Sequence, residues 1–282
     1  MKRAIVIYII IILTGCSRIA IDKQVSDNLY RLNLHGNTRI ITKADSLMGE
    51  GISIGVYVPF KDSSLLSAKA NFSNVQYTSG NSGTLSGGPV LLTVGRSYDI
   101  YGYVPYQPGI QSPDSIVGFK IGDDVMVATK STITDVSNTN SSAVLTFEHL
   151  VSQLSFKIIF EDKSIIIDST TSIEISGFYS SAKLNLTNNT LFPADATSSL
   201  TARGTAGSLS VQPFCFYTDK ESNMTLKLKI TAEGVNYYGE ISRLFVPGES
   251  YRYTVTVPIS TQDLKLNSTL TTWVQIDKEI LI

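Results

Sequence analysis

The sequence predicts an all-β protein. Apolar and polar residues alternate in several runs of its second half, the period of strands with one dry and one wet face, as in antiparallel sheets. Short β-branched and aromatic runs are separated by Gly, Ser and Pro clusters along the whole chain, which is the punctuation of many short strands. No segment sustains a helical stripe of apolar residues, although 146–153 has room for one helical turn. This pattern belongs to sandwiches or barrels, and the length of 282 residues suits about two domains.

The first segment is an address. Lys2 and Arg3 precede an uncharged apolar run from Ala4 to Leu13, and Thr14-Gly15-Cys16 follows. A basic start, a short apolar run and a small-residue cleavage site make a secretory signal. The run falls short of the roughly 20 residues that span a membrane. Leu13-Thr14-Gly15-Cys16 is similar to a bacterial lipobox, which makes Cys16 the acylated N-terminus of the mature chain. Loss of residues 1–15 removes Lys2 and Arg3 but no acid, so the formal charge moves from −1 to −3.

Residues 17–28 read as a polar tether. Tyr30, Leu32 and Leu34 alternate with Arg31, Asn33 and His35, the pattern of a half-buried strand; Gly36-Asn37 punctuates it and 38–42 resumes a β-rich run. Residues 52–58, 71–78, 88–94 and 97–104 give further strands, and the Gly-rich 80–88 reads as a flexible loop. After the polar stretch 135–142 come 143–147 and then Leu154, Phe156, Ile158 and Phe160 alternating with polar positions. The same alternation returns at Leu226, Leu228 and Ile230, and at Tyr251, Tyr253, Val255 and Val257. A domain boundary near 135–150 follows.

The composition argues against most chemistry. Hydrophobic residues at 43% and charged residues at 17% are too apolar for disorder and too weakly charged for a nucleic-acid binder. Two His, two Cys and one Trp leave little for a hydrolytic triad or a zinc site. His149 reads as a packing residue and Cys215 as a small buried hydrophobe. The acidic pairs Asp123-Asp124 and Glu161-Asp162 read as solvated turns rather than Ca²⁺ ligands. No catalytic constellation, metal set or cofactor motif emerges, so the expectation is a non-enzymatic protein. Carboxylates alone, as in glycosidases, are what an enzyme would have to use.

Several blocks in order resemble the fimbrillin family of Bacteroidales, lipoprotein precursors of surface pili. Thr38-Arg39 with Gly49-Glu50-Gly51-Ile52-Ser53-Ile54-Gly55-Val56-Tyr57 is similar to the family's Arg-containing start and its Ile-Gly-Val strand. Tyr98-Asp99-Ile100-Tyr101-Gly102-Tyr103-Val104-Pro105-Tyr106 resembles its aromatic strand, and Asp123-Asp124-Val125-Met126-Val127-Ala128 its acidic-Met-Ala segment. Phe147-Glu148-His149 resembles its Phe-x-His block, and Pro247-Gly248-Glu249-Ser250-Tyr251-Arg252-Tyr253 with Trp273 its closing pattern.

The resemblance implies two consecutive transthyretin-like β-sandwich domains after a lipoprotein signal peptide. The map is then 1–15 signal, 16–39 tether and removable N-terminal strand, 40–145 first sandwich and 146–282 second sandwich. It further implies an Arg-specific protease that removes the N-terminal strand and a groove that accepts a strand from a neighbouring subunit. Arg39 is the candidate cleavage point, Arg31 a weaker one; Arg39 as a plain surface residue is the alternative. Tyr30, Leu32 and Leu34 belong to the strand that leaves. Ile276, Ile280 and Ile282 either present a donor face or belong to the last strand of the second sandwich. The short tail after Trp273 suits a tip or anchoring subunit. The implied partners are other fimbrillin-like subunits, the outer membrane through lipid on Cys16, and host or bacterial surface ligands. The implied location is the outer membrane, surface-exposed, or the fimbrium. A second reading is a glycan-binding surface lipoprotein that would present Tyr98, Tyr101, Tyr103 and Tyr106 as aromatic faces; an exposed coplanar pair favours it and a buried pair favours a scaffold.

Overall fold

The computed structural model describes residues 28–39, 46–67, 72–109, 111–193, 197–205, 207–218, 221–271 and 273. Twelve strands form the N-terminal half: β1 (Leu29–Arg31), β2 (Asn33–Arg39), β3 (Ser46–Leu47), β4 (Ser53–Tyr57), β5 (Val75–Ser79), β6 (Thr84–Gly87), β7 (Leu91–Thr93), β8 (Tyr98–Val104), β9 (Ile116–Lys120), β10 (Met126–Ala128), β11 (Ser131–Ile133) and β12 (Ser142–His149). Ten follow: β13 (Ser152–Phe160), β14 (Ser172–Tyr179), β15 (Ser181–Asn185), β16 (Thr190–Pro193), β17 (Thr197–Arg203), β18 (Ser210–Phe216), β19 (Met224–Ala232), β20 (Val235–Arg243), β21 (Ser250–Val257) and β22 (Lys265–Thr271). A single 3-10 turn lies at Leu65–Ser67.

In the first half the strands follow the order β12-β2-β6-β5-β4-β8, and β10 pairs with both β8 and β12. The hydrogen bonds therefore return on themselves, which removes the exposed edges an open sheet would leave. Leu32, Leu34, Ile54, Val56, Tyr98, Ile100, Leu145 and Phe147 fill the enclosed core. In the second half two four-stranded sheets, β18-β13-β21-β22 and β17-β14-β19-β20, share one core. Phe178, Phe214, Phe216 and Phe245 meet there edge to face, with centroids 5.0–5.6 Å apart along the chain of contacts. Such geometry suits the ring quadrupoles.

A third core joins the halves. β9 pairs antiparallel with β15 across 60 or more positions of sequence, and Tyr57, Tyr103, Phe119 and Val127 pack there with Leu184, Leu191, Cys215 and Tyr217. β12 runs unbroken through residues 145 and 146, where the sequence divides the two sandwiches, because Ala143, Leu145 and Phe147 all point into the first core.

Some expectations change. Residues 146–153 hold no helical turn: β12 ends at His149, and β13 starts at Ser152. Leu150 N–H donates to Val125 O at 2.8 Å and Gly248 N–H to Val151 O at 2.7 Å, so the connection is held from both sides. Gly36-Asn37 is no break, since β2 continues to Arg39. A side chain at Gly36 would start 3.2 Å from Leu85 and 3.3 Å from Met48, so glycine lets these two close over the strand. The Gly-rich 80–88 contains β6, anchored by the inward Leu85. The sheets are not purely antiparallel: β2 runs parallel to β12, and β13 parallel to β21. In each half an opening strand thus lies beside a closing one. β13 is covered on both faces from Ser152 to Phe156, as strands with parallel neighbours often are.

Candidate functional site

The N-terminal strand is built into the middle of a sheet. β1 pairs antiparallel with β7, and the N–H of Leu32 donates to Val90 O at 2.9 Å. β2 then pairs over its whole length with β12, from Asn33↔Ser142 to Arg39↔Glu148, while Leu34 and His35 pair with Leu85 and Thr84 of β6. The alternation legible in the sequence sets its faces. Leu32 and Leu34 are 2% and 1% exposed, Arg31, Asn33 and His35 face outward, and the half-buried Tyr30 packs on the same core. Withdrawal of 28–39 would uncover Leu85, Leu92, Leu145 and Phe147 and leave backbone groups of β6, β7 and β12 unpaired. Both effects are costly until another strand replaces it.

Arg39 is the last residue of β2 and is exposed. Its guanidinium lies 2.6 Å from Glu148 Oε1, with both side chains about half exposed. Such surface pairs hold loosely. Arg31, by contrast, lies before the buried Leu32 and Leu34, and donates to Gly87 O at 3.3 Å. A cut after Arg31 leaves β2 in place; a cut after Arg39 detaches all of it from the chain that follows. Cys16, Ile276, Ile280 and Ile282 lie outside the described residues.

A second constellation forms where the halves meet. His149 Nδ1 lies 2.7 Å from Asp124 Oδ1, and its ring stacks on Trp273 with centroids 4.0 Å apart. Trp273 follows β22, whereas His149 closes β12 and Asp124 precedes β10. Three of the blocks that resemble the fimbrillins thus converge at one point. Asp123 Oδ2 accepts the Lys120 N–H at 2.7 Å, and burial raises its carboxyl. Burial, then the nearby Asp124 and Asp123 carboxylates, push the Cys215 thiol well up. That environment disfavours a thiolate. Glu161 pairs with Lys265 at 2.7 Å, and Asp162 accepts from its neighbour Ser164. The two acidic pairs therefore act within turns and across strands.

The tyrosines of β8 are mostly spent on packing. Tyr98 and Tyr103 are 1% and 0% exposed, and Tyr101 is half-buried. Tyr103 O–H donates to Asn74 Oδ1 at 2.7 Å and accepts the Gln107 N–H at 3.1 Å. Asn74 in turn donates to Gln107 O and Gly109 O, fixing the loop after β8. Burial drives the Tyr103 and Tyr57 phenols up, so they serve as neutral hydrogen-bonding core residues. The buried pair favours a scaffold over an aromatic binding platform. The Tyr103–Asn74–Gln107 network is not legible in the sequence, since its members are far apart or separated by a turn.

The fold and the family agree. Solved structures of two candidate cell adhesion proteins superpose on the chain. That from Bacteroides ovatus ATCC 8483 has a TM-score of 0.67 at 15% identity, covering 88% of this chain and 99% of its own. That from Bacteroides uniformis ATCC 8492 has a TM-score of 0.64 at 18% identity, covering 86% of this chain and 98% of its own. A third candidate cell adhesion protein, from Bacteroides fragilis NCTC 9343, has a TM-score of 0.55 at 15% identity over 88% of this chain and 99% of its own. No curated protein sequence matches the chain. The Fimbrillin-like family model matches residues 38–273, and the chain is therefore a member of the Fimbrillin-like family.

Proposed function

We propose that this protein is a non-enzymatic structural and adhesive subunit of a bacterial surface pilus. It is exported as a lipoprotein held at the outer membrane through Cys16 and joined to other fimbrillin-like subunits by strand exchange. The observation that carries this reading is the position of β2. It is an inner strand whose Leu34 is buried, as is Leu32 just before it; partners flank it on both sides, and it ends at the exposed Arg39. An inner strand at a chain end can leave without breaking any connection between the others, and a groove of unpaired backbone and apolar side chains then selects a strand of matching alternation. In this reading the halves act as two transthyretin-like domains, 40–145 and 146–282, and the location is the cell surface.

The test is treatment of the lipidated precursor with an Arg-specific protease, with the new N-terminus read by mass spectrometry and oligomers by unheated gels in detergent. Cleavage after Arg39 with the body intact, followed by detergent-resistant oligomers with itself or another fimbrillin-like subunit, is expected. Resistance at Arg39 with lipid retained and no oligomer would overturn the polymerising role.

A further inference from the structure

We infer that the outward face of the β17-β14-β19-β20 sheet carries a binding site for a neutral oligosaccharide. A shallow depression of about 640 Å³, open along the sheet face, lies there. Its origin is a bulge. Ser176 pairs with Ser199, but the next paired residue is Phe178 with Ser198, so Gly177 is left over. Gly177 has φ +100°, and a Cβ placed on it would lie 2.5 Å from Thr225 O. No other residue fits without a shift. The bulge turns Phe178 inward, where it is fully buried, and leaves the outer surface without a side chain at that point.

The lining has one chemical character. Ser176, Thr197, Ser198 and Ser199 line the hollow; Ser176, Thr197 and Ser199 lie on the outward face, whereas Ser198 pairs with the inward Phe178, and none of the three outward hydroxyls has a hydrogen-bond partner among the described residues. Thr225, also in the lining, is bonded to Ser242 at 3.1 Å. Glu174 and Lys227 complete the wall. They are diagonal neighbours on β14 and β19, since Glu174 faces Lys229 and Lys227 faces Ser176. Neither makes an ion pair with a described residue.

A free hydroxyl donates one hydrogen bond and accepts two, a carboxylate only accepts, and an ammonium only donates. Together they match a ligand that carries many adjacent hydroxyls. No aliphatic or aromatic side chain lines the hollow, which disfavours an apolar ligand. One positive and one negative group cancel, which disfavours a strongly charged one. A sugar chain laid along the open sheet face meets these conditions. The inference rests on the adhesive reading above for its biological setting; its chemistry is independent of that reading.

The test uses the full lipidated chain in detergent on an array of immobilised neutral, sialylated and sulfated oligosaccharides. Retention on neutral oligosaccharides is expected, with binding about tenfold weaker in Lys227→Ala and in Glu174→Gln, the effect of losing one charged hydrogen bond. Both side chains lie on the outer face of the sheet, and an unchanged thermal melt of each variant separates lost binding from lost folding. Ser199→Arg, which fills the hollow from its rim, is expected to abolish retention. No retention on any neutral glycan, retention only on sialylated or sulfated ones, or equal binding by all three variants would overturn the inference. A chain that is cut at Arg39 and oligomerises but retains no neutral glycan overturns this site alone. A chain that binds neutral glycans but resists cleavage and stays monomeric overturns the pilus role alone.

Discussion

His149 and Trp273 lie ring against ring, 4.0 Å between centroids at an interplanar angle of 31°, although 124 positions separate them in the chain. Asp124 fixes the imidazole from its other side at 2.7 Å. The stack ties the end of β22 to β10 and β12, so the N-terminal sheet and the last described residue of the chain are held together by three side chains. His149 Nε2 and Trp273 Nε1 are buried and find no hydrogen-bond partner among the described residues. Packing and the Asp124 contact therefore have to offset their desolvation.

Trp273 is the single tryptophan, so its emission reports this junction alone. His149→Ala removes the ring on which the indole stacks and opens the buried indole N–H to solvent. The expected result is emission shifted to the red relative to wild type. Identical spectra for the two proteins would contradict the assignment.

Asp99 is 1% exposed. Burial alone would raise its carboxyl, but the Thr132 O–H at 2.7 Å, the Asp62 N–H at 3.3 Å and Lys130 Nζ at 3.4 Å outweigh it and hold it below the ordinary value of 3.8. A depressed native pKa contributes stability above the unfolded value that is lost as pH falls through the folded one. Asp99→Ala leaves the donors of Thr132 and Asp62 without their acceptor and is expected to cost about 2 kcal/mol at neutral pH. The difference from wild type should shrink in acid below about pH 4. Urea melts at both pH values provide the check.

Gly55 marks a close approach. A Cβ there would stand 2.1 Å from the Tyr103 ring, which crosses the strand to reach Asn74. Gly55→Ala is expected to destabilise by about 2–3 kcal/mol, the usual cost of overpacking a core. If the denaturation midpoint is unchanged, the ring is not locked over this strand.

Leu34→Ala removes an inward side chain of β2 and is expected to cost about 3 kcal/mol. Because the same residue covers the groove under β2, binding of a hydrophobic dye to the uncleaved precursor should rise as well. A lower melting temperature without increased dye binding would place the damage elsewhere.

Cys215 is 0% exposed, and burial with the two nearby carboxylates disfavours its thiolate. In a chain whose Cys16 is acylated it is the one thiol, because the sequence has two cysteines. It is expected to stay unreactive toward Ellman's reagent at pH 8 until denaturant unfolds the second half. Rapid modification of the native protein would show that the junction opens.

Local pattern carried much of this architecture. The alternation at Tyr30, Leu32 and Leu34, at 154–160, and at 251–257 specified strands, because a period of two decides which side chains meet the core. The same alternation in 98–104 favoured burial of Tyr103, whereas Arg39 as a cleavage point came from the fimbrillin resemblance and stays a proposal. It could not supply pairing. Whether β2 sits at an edge or between β6 and β12 depends on pairings 49 to 109 positions apart, and local propensity holds no record of them. The same limit hid the Gly36 crossing, read as a break because glycine is ambiguous without the neighbours that fill its space. It also hid the third core shared by β9 and β15, whose residues read as ordinary short apolar runs. Composition and period therefore determined that the chain is β throughout and where its dry faces lie. Only the tertiary structure decided which strand closes the first core and which histidine meets the single tryptophan, because both depend on long-range packing.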